Sequence, residues 1–392
     1  MNYRELEDHF DLIPVKRALD PCHYAFCVPN QRAYARWPAF PAAARPHSGR
    51  AAAGRGVDAA QCKASAFGEA VELASSCAWG DETLITATER EIGPNSLSPE
   101  ALNGFSTRQL ANRAVWNASP FAELDWCPPP FDNSDPIDWI SASLLSGETC
   151  FVPADFVFVG QKKPGDANAV SIATTSGCAS GETAASAKLT ALLELIERDA
   201  VGQWWYGRIP RPHLPLERLC LPDEISSYLR PRTRQTVLFN LTTELSVPVV
   251  AAVSYEPDGK NLALGFGCNP NFTQASCSAV TELFQTEIGL VQRQQQDDQL
   301  LEIWLHSASR DTLPISETTI TASDLPNGGL ETVVDCLTKQ DRACAFVDLS
   351  RPEFGNFVFR AIVPEMWSDK PRLAGFERAG LPEPNWVLPL LV

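Results

Sequence analysis

Pairs of oxygen-bearing side chains three residues apart recur on segments with a helical pattern. The members are Glu69 with Glu72, Glu194 with Glu197, and Glu282 with Gln285. A spacing of three places both side chains on one face of a helix, about one turn apart. Neighbouring carboxylates repel each other unless a cation lies between them. Oxygen ligands are those that Mg²⁺ prefers, and protein-bound Mg²⁺ commonly bridges nucleotide phosphates. The spacing therefore makes an Mg·ATP site the first hypothesis.

A run of small residues precedes the second pair. Residues 176–181 read SGCASG, and Glu182 follows them. The composition predicts a loop in which backbone N–H groups could approach a phosphate at the positive end of the following helix. The P-loop pattern G-x-x-x-x-G-K-[ST] is absent from the sequence. Because most small-residue loops before helices are ordinary caps, this loop indicates a phosphate site only together with the carboxylates.

Three long helices are predicted to carry the paired side chains. Apolar residues recur with a helical period over residues 58–76, 183–205 and 273–294, and Asp58 is the predicted N-cap of the first helix. Predicted strands are IDWISASLL, TCFVPADFVFVG, NAVSIATT, QTVLFNL, VPVVAAVSY, LALGFGC, AFVDLS and FVFRAIVP. Strands come in runs and do not alternate strictly with helices, which favours an α+β fold with mixed or antiparallel sheets.

Composition narrows the class of protein. The chain has 392 residues, of which 44% are apolar, and a net charge of −16 that argues against nucleic acid as a partner. Twelve cysteines form no C-x-x-C pair, which argues against a zinc ribbon. The N-terminus lacks the apolar core of a signal peptide, and no apolar run reaches the ~18 residues that span a membrane. We expect a cytoplasmic protein with reduced thiols and no membrane partner.

Four segments in order resemble the motifs of the YcaO family. GRGVDAAQCKASAFGEAVEL resembles the first motif, a G-K-G turn followed by S-A-x-x-E-x-x-E. TTSGCASGETAASAKLTALLELIERDAVGQWW resembles the signature segment, and GFGCNPNFTQASCSAVTELFQTE resembles the third motif with E-x-x-Q. VDLSRPEFGNFVFRAIVPEM resembles the C-terminal strand pair of peptide-maturing members. The resemblance extends from about Arg50 to Arg372, and the order of the motifs makes it specific.

The resemblance implies a YcaO-like fold around a nucleotide site and an ATP-dependent enzyme that modifies a ribosomally made precursor peptide. In the family, a Cys, Ser or Thr side chain of the substrate attacks the preceding carbonyl, ATP phosphorylates the oxygen, and loss of phosphate leaves an azoline ring. Such chemistry serves peptide antibiotic and bacteriocin maturation. By resemblance, the Mg²⁺ ligands would be Glu69, Glu72, Glu194, Glu197 and Glu282. Gln285 and Arg198 would contact phosphate or support these ligands. Ser65, Ser180 and Glu182 would lie near the nucleotide.

Three departures from the family pattern leave the reaction open. Leu73 follows the first carboxylate pair where the family usually has Arg, and Arg55 stands where Lys is usual. Asn is usual at the position of Glu182, and a carboxylate there would repel phosphate. ATP-dependent formation of a thioamide or an amidine is therefore one alternative. A non-catalytic scaffold that binds the precursor peptide is another.

The resemblance also suggests a domain organisation. An irregular N-terminal segment covers residues 1–48, a YcaO-like ATP-binding catalytic domain covers 49–375, and a Pro-containing tail covers 376–392. No fused leader-peptide-binding domain is apparent, so a separate partner protein is expected to present the precursor peptide. A homodimer stays open as the oligomeric state. The branch of the family that processes the peptide antibiotic trifolitoxin is one identification that the resemblance allows.

Overall fold

The structure is a computed structural model that describes residues 4–47, 51–296, 298–319, 330–339, 342–384 and 387–391. The strands in these ranges are β1 (Phe10–Val15), β2 (His23–Pro29), β3 (Ala52–Gly56), β4 (Ile85–Ala87), β5 (Ile137–Leu144), β6 (Thr149–Pro153), β7 (Cys178–Gly181), β8 (Arg211–Leu214), β9 (Gln235–Asn240), β10 (Val249–Tyr255), β11 (Ala263–Cys268), β12 (Ile315–Thr319), β13 (Ala345–Asp348) and β14 (Phe357–Ile362). The helices are α1 (Arg4–Glu7), α2 (Gln31–Arg36), α3 (Ala59–Ser76), α4 (Glu89–Ile92), α5 (Pro99–Asn103), α6 (Thr107–Ala111), α7 (Arg113–Asn117), α8 (Ala154–Val157), α9 (Ala184–Trp205), α10 (Asp223–Leu229), α11 (Phe272–Arg293), α12 (Gln299–Ser307), α13 (Leu330–Lys339) and α14 (Ala374–Arg378).

The strands form three sheets. The first has the order β1-β2-β3, the second β11-β10-β9-β8-β12, and the third β4-β5-β13-β14-β7 with β6 paired to β5. Strands β8 and β12 pair in parallel, and the other pairs among the named strands are antiparallel. The predicted α+β class with mixed or antiparallel sheets is therefore confirmed.

The long helices begin where the sequence pattern predicts. Asp58 accepts a hydrogen bond from the backbone N–H of Gln61 at 2.8 Å, which satisfies one of the free donors at the start of α3. Thr183 does the same for α9, accepting from the N–H of Ser186 at 3.1 Å. The third helix, α11, covers Phe272–Arg293, close to the predicted 273–294.

Each long helix follows a glycine-bearing strand and packs against it. A Cβ at Gly54 of β3 would overlap the backbone of Ala66 in α3. A Cβ at Gly265 of β11 would overlap the backbone of Leu283 in α11. Only glycine permits such a close approach of strand to helix. The strand–helix units β3–α3, β7–α9 and β11–α11 share this arrangement. Each of the three motifs with paired oxygen-bearing side chains therefore corresponds to one such unit.

The three long helices link the three sheets around a common centre. Helix α3 packs against β2 and β3 on one side and against β7 and β14 on the other. Helix α9 packs against β7 and β14 and also against β10 and β11, and α11 packs against β10, β11 and β3. Apolar cores fill the spaces between these layers, with Leu192 and Ile196 of α9 in one core and Phe67 and Val71 of α3 in another. The paired acidic positions are thereby brought to one region.

Several local predictions were wrong. The N-terminal segment, expected to be irregular, contributes the paired strands β1 and β2, with residues 1–3 and 48 outside the described ranges. The stretch CASG, expected to be a loop, is strand β7 and pairs with β14. The Pro-containing tail, whose bounds stay a prediction, buries Leu388, Leu390 and Leu391 in the apolar core. The boundaries proposed for the catalytic domain stay predictions.

Candidate active site

Helix α9 places Glu194 and Glu197 beside the partly buried Arg198. The apolar stripe of the helix, which includes Ile196, holds it against the sheets, and Glu197 is 9% exposed. Arg198 lies 3.6 Å from Glu194, measured from Nη2 to Oε1, and 3.3 Å from Glu197, measured from Nη1 to Oε1. Although burial opposes it, the charges of Glu197 and Asp369 raise the pKa of Arg198. One guanidinium thus lies between the two carboxylates of the signature motif.

Helix α3 is joined to strand β7 through Glu72. Its Oε1 accepts hydrogen bonds from the backbone N–H of Ser180 at 2.8 Å and from the Ser180 hydroxyl at 3.0 Å. Glu69, one turn earlier on the same helix, is exposed to solvent. Ser65 lies near the start of the same helix, and its hydroxyl accepts from the N–H of Arg55 at 3.3 Å.

Helix α11 is joined to strand β3 through Arg55. The Arg55 guanidinium donates to Glu282 Oε2 at 3.1 Å and to Gln285 Oε1 at 3.2 Å. Glu282 Oε2 also accepts from the N–H of Phe266 in β11 at 3.2 Å. The E-x-x-Q pair is therefore oriented by a cation from the first motif, which the sequence analysis did not anticipate.

The five carboxylates form one electrostatic group, called the carboxylate cluster below. Its members are Glu69, Glu72, Glu194, Glu197 and Glu282. Burial, followed by repulsion from Glu69, raises the pKa of Glu72 to about 8. Burial raises the pKa of Glu197 to about 7 even though Arg198 opposes the change. Burial also raises the pKa of Glu194 well above its usual value. Arg198 lowers this pKa, whereas repulsion from Glu72 raises it further. When no cation is bound, burial and mutual repulsion therefore favour the protonated forms of these carboxylates.

The chemistry of the donors fits Mg²⁺ shared with phosphates. Among the described residues, no three acidic, histidine or cysteine side chains converge closely enough to form a metal site from protein ligands alone. Mg²⁺ does not require such a cage, because one or two carboxylates suffice when water and phosphate oxygens complete its coordination. Two guanidinium groups, those of Arg55 and Arg198, face five carboxylates. Additional cations would allow the remaining carboxylates to ionise.

The structure brings most of the predicted site residues together. Arg198 contacts Glu194 and Glu197, and Ser180 contacts Glu72. Gln285 contacts Arg55, which also contacts Glu282. Ser65 lies beside the backbone of Arg55. Glu182 is exposed in the turn between β7 and the N-cap of α9.

Asp369 is a further charged residue at the site that sequence reasoning missed. It accepts from the Ser176 hydroxyl at 3.3 Å. Burial works against ionisation, but Lys370 and Arg198 together keep the pKa of Asp369 below its usual value. It lies in an irregular segment after the last strand, where no periodicity marks it. Because Asp369 is far in sequence from the three motifs, no local pattern in the sequence indicates that it lies at the site.

Comparison with known proteins defines the class to which this fold and site belong. The model of the YcaO family, described as an ATP- and Mg²⁺-binding cyclodehydratase, matches residues 53–367. The chain therefore belongs to the YcaO family. The predicted family, fold and ATP and Mg²⁺ cofactors are confirmed at this level.

Three relatives show how far the likeness extends. An uncharacterised protein from the tfuA 3′ region of Rhizobium leguminosarum bv. trifolii is 28% identical over 255 residues, which cover 60% of this chain and 54% of that protein. A heterocyclase solved in complex with substrate and cofactor is similar with a TM-score of 0.83 and 25% identity, over 97% of this chain and 54% of the heterocyclase. YcaO from Methanopyrus kandleri, bound with AMPPCP and Mg²⁺, has the same fold, with a TM-score of 0.65 and 20% identity over 98% of this chain and 93% of that protein.

The chain spans about half the length of the Rhizobium relative and of the heterocyclase, at 54% in each case. No helix within the described ranges is both long and apolar enough to cross a membrane.

Proposed function

We propose that this protein uses Mg·ATP to convert Cys, Ser or Thr residues of a ribosomally made precursor peptide into azoline rings. The observation that carries the proposal is the carboxylate cluster, in which three helices contribute five acidic side chains with few cationic partners. Phosphoryl transfer depends on positioning and charge neutralisation more than on a protein nucleophile. A site built of carboxylates and two arginines supplies those functions.

Each group of residues has a role in this proposal. Glu194, Glu197 and Glu282 would hold Mg²⁺, and Glu69 and Glu72 of α3 would complete the set of oxygen ligands. Arg55 and Arg198 place positive charge beside the phosphates and keep the carboxylates oriented. Bound Mg·ATP supplies the phosphoryl group that activates the amide oxygen of the substrate.

The net reaction balances without a protein nucleophile. The substrate side chain bonds to the preceding carbonyl carbon, and its proton is released. The carbonyl oxygen accepts the γ-phosphoryl group. The amide nitrogen then loses its proton and forms the C=N bond of the ring as that oxygen leaves with the phosphate. ATP becomes ADP, and the peptide loses one water per ring. The sequence holds no G-x-S-x-G or H-E-x-x-H motif, in agreement with a nucleophile that comes from the peptide.

Mass spectrometry of the precursor peptide tests the reaction. A candidate precursor peptide, sought among the neighbouring genes for a short product rich in Cys, Ser and Thr, is co-expressed with the protein and its neighbours, and ADP and phosphate are measured with the purified components. The proposal requires the loss of one water per ring in step with ADP formation. Replacement of oxygen by sulfur would instead indicate thioamide formation.

A precursor-binding scaffold is the second candidate, because Leu73 packs among apolar residues where the family usually has arginine. No basic side chain therefore follows the Glu69–Glu72 pair on α3. The scaffold is favoured if the purified protein binds the precursor peptide without ATP turnover while its deletion still abolishes the mature product.

The relative in the tfuA 3′ region supports a place in the trifolitoxin-processing branch. We also propose that a separate protein binds the leader of the precursor and presents it to this chain. Copurification of the tagged protein with products of the neighbouring genes, with and without the precursor peptide, tests this arrangement.

A further inference from the structure

The segment between β14 and α14 is held against the last turns of α9 by side chains of that helix. Asp199 Oδ1 accepts from the backbone N–H of Trp367 at 2.8 Å. The hydroxyl of Tyr206, the residue that follows α9, donates to the backbone carbonyl of Asp369 at 2.9 Å. Residues 367–369, called the clamped segment below, are therefore hydrogen-bonded to α9 at both ends.

Close packing fixes the middle of the clamped segment. A Cβ at Gly202 would overlap the carbonyl oxygen of Ser368, so only glycine allows the segment to lie this close to the helix. Asp199, Gly202 and Tyr206 are three and four residues apart, which places them on one face of the helix. Asp199 and Tyr206 are each 1% exposed. Since buried polar groups need hydrogen-bond partners, these contacts determine where the segment lies.

The clamped segment places a carboxylate near Arg198. Asp369 and Arg198 line the same cavity, and Asp369 is the one acidic side chain among the described residues of its lining. Its Oδ1 accepts from the Ser176 hydroxyl at 3.3 Å. Against the effect of burial, the charges of Glu197 and Asp369 raise the pKa of Arg198. Arg198 therefore has an acidic neighbour that is not a member of the carboxylate cluster.

Binding of Mg²⁺ would compete for the partners that Arg198 has within its own helix. The guanidinium lies 3.6 Å from Glu194 Oε1 and 3.3 Å from Glu197 Oε1. These are oxygens that a cation in the carboxylate cluster would take as ligands. The guanidinium has five N–H donors in a fixed fork, and phosphate oxygens contact only those that face them. A counter-charge from outside the cluster is then needed to keep the fork in one orientation.

We infer that Asp369 is a positioning residue that holds the Arg198 guanidinium beside the nucleotide phosphates, and that Asp199 and Tyr206 keep Asp369 in place. Asp369 acts through Arg198, and the two α9 contacts act through Asp369. This inference rests on the proposed function, because it takes Glu194 and Glu197 to be Mg²⁺ ligands.

Calorimetric binding of Mg·ATP to two variants of Asp369 tests the role of its charge. Asp369→Asn keeps the size of the side chain and should bind Mg·ATP about tenfold more weakly, the effect of one pKa unit of attraction between opposite charges. Asp369→Glu keeps the charge on a longer side chain and should recover part of this loss. A side chain that only fills space would give the reverse order. Unchanged binding by Asp369→Asn, or binding by Asp369→Glu no tighter than that by Asp369→Asn, would overturn the inference.

Removing the Tyr206 hydroxyl tests the clamp without changing a charge. Tyr206→Phe should weaken Mg·ATP binding about threefold, within the range for one neutral hydrogen bond. It should cause no further loss when combined with Asp369→Asn, because Tyr206 acts through Asp369. Additive effects of the two changes would overturn the positioning role of Tyr206.

Tyr24→Phe is the matched control for the clamp. Tyr24 is 5% exposed, and its hydroxyl donates to Asp20 at 3.0 Å, outside the carboxylate cluster. The variant loses a comparable hydrogen bond and should bind Mg·ATP within about twofold of the wild type. If Asp369→Asn does not fold, equal effects of Tyr206→Phe and Tyr24→Phe on Mg·ATP binding would overturn the inference.

The wild-type protein separates this inference from the proposed function. Wild type that binds Mg·ATP but leaves the precursor peptide unmodified would overturn the proposed reaction, while the effects of the Asp369 and Tyr206 variants on Mg·ATP binding would still support the clamp. Wild type that does not bind Mg·ATP would overturn both.

Discussion

Arg55 and Glu282 are 227 residues apart in sequence, yet Nη2 of the arginine donates to Oε2 of the glutamate at 3.1 Å. The contact joins the strand of the first motif to the helix of the third. Because the Arg55 guanidinium donates to both members of the E-x-x-Q pair, it fixes the orientation of Glu282 and Gln285. The nucleotide site thus depends on a long-range contact as well as on the three helices.

Replacing Arg55 tests this contact. Arg55→Met removes a positive charge that faces the phosphates in our proposal, and the KM for ATP should rise about tenfold or more, the effect of a charge-assisted hydrogen bond. Arg55→Lys keeps the charge and should restore part of the affinity, although it loses the fork geometry. An unchanged KM in the folded Met variant would show that Arg55 serves only the fold.

Glu194 and Glu197 of α9 are the most direct targets for tests of catalysis. Glu194→Gln and Glu197→Gln keep the shape of each side chain and remove its charge. ATP turnover should fall by about a hundredfold, as expected for the loss of one electrostatic stabiliser. Glu302→Gln on the exposed face of α12 is the matched control and should retain full turnover. Full turnover in Glu194→Gln would mean that this helix face takes no part in the reaction.

The raised pKa values predict release of protons on binding of Mg·ATP. In the folded protein Glu72 keeps its proton up to a pKa of about 8, whereas the unfolded chain loses it near 4.5. The free energy of unfolding therefore decreases as the pH rises from the pKa of Glu72 in the unfolded chain, 4.5, to its pKa in the folded protein, about 8. A bound cation favours the ionised form and must expel the proton.

Calorimetry in buffers with different ionisation enthalpies measures this release. At about pH 7.5 the nucleotide itself is already ionised, so the released protons come from the carboxylate cluster. Affinity should increase as the pH rises toward 8, and Glu72→Gln should release fewer protons than the wild type. Proton uptake, or an affinity independent of pH, would contradict the assignment of these groups.

A second charged cluster, away from the carboxylate cluster, predicts the largest effect on stability. Glu287 is 6% exposed and accepts from Arg17 and from Arg232 at 2.6 Å, and from the hydroxyl of Ser254 also at 2.6 Å. Glu287→Gln removes the buried charge that faces the partly buried guanidinium groups of Arg17 and Arg232, which should cost about 3–5 kcal/mol. Urea unfolding followed by tryptophan fluorescence measures this change. Glu256→Gln is the control, because Glu256 pairs with Arg234 while 42% exposed and should contribute at most about 1 kcal/mol.

Acid should weaken the same cluster. Burial opposes ionisation of Glu287, but the hydrogen bond and charge of Arg232, with Ser254 and Arg17, hold its pKa below the usual value. The ionised Glu287 therefore stabilises the fold fully when the pH is above its pKa in the unfolded chain. This stabilisation is lost as the pH falls through the lower pKa that Glu287 has in the folded protein. Glu287→Gln should lack this acid-dependent loss. An identical acid dependence in variant and wild type would show that other groups control it.

The sequence predicts the three long helices closely because strong local signals define them. Asp58 and Thr183 are good N-caps, and the apolar positions recur with helical period. The acidic pairs were found for the same reason, since their spacing is local. These signals lie within single segments and do not depend on distant contacts.

Strands that depend on distant partners could not be predicted in the same way. CASG has no β-branched or aromatic residue, and its strand conformation follows from pairing with Phe357–Arg360. The first strand contains Pro14 and is paired to β2, whose own partner is β3. The contacts of Arg55 with α11 and of Ser176 with Asp369 likewise join positions far apart in sequence.

Calorimetric titration with ATP, in Mg²⁺ and in excess chelator, tests the central claim most directly. Five carboxylates that face a triphosphate repel it unless cations intervene. We predict that ATP binds in the presence of Mg²⁺ and that its affinity falls by at least about a hundredfold in chelator. Equally tight binding of ATP in excess chelator would contradict the assignment of the carboxylate cluster as an Mg·ATP site.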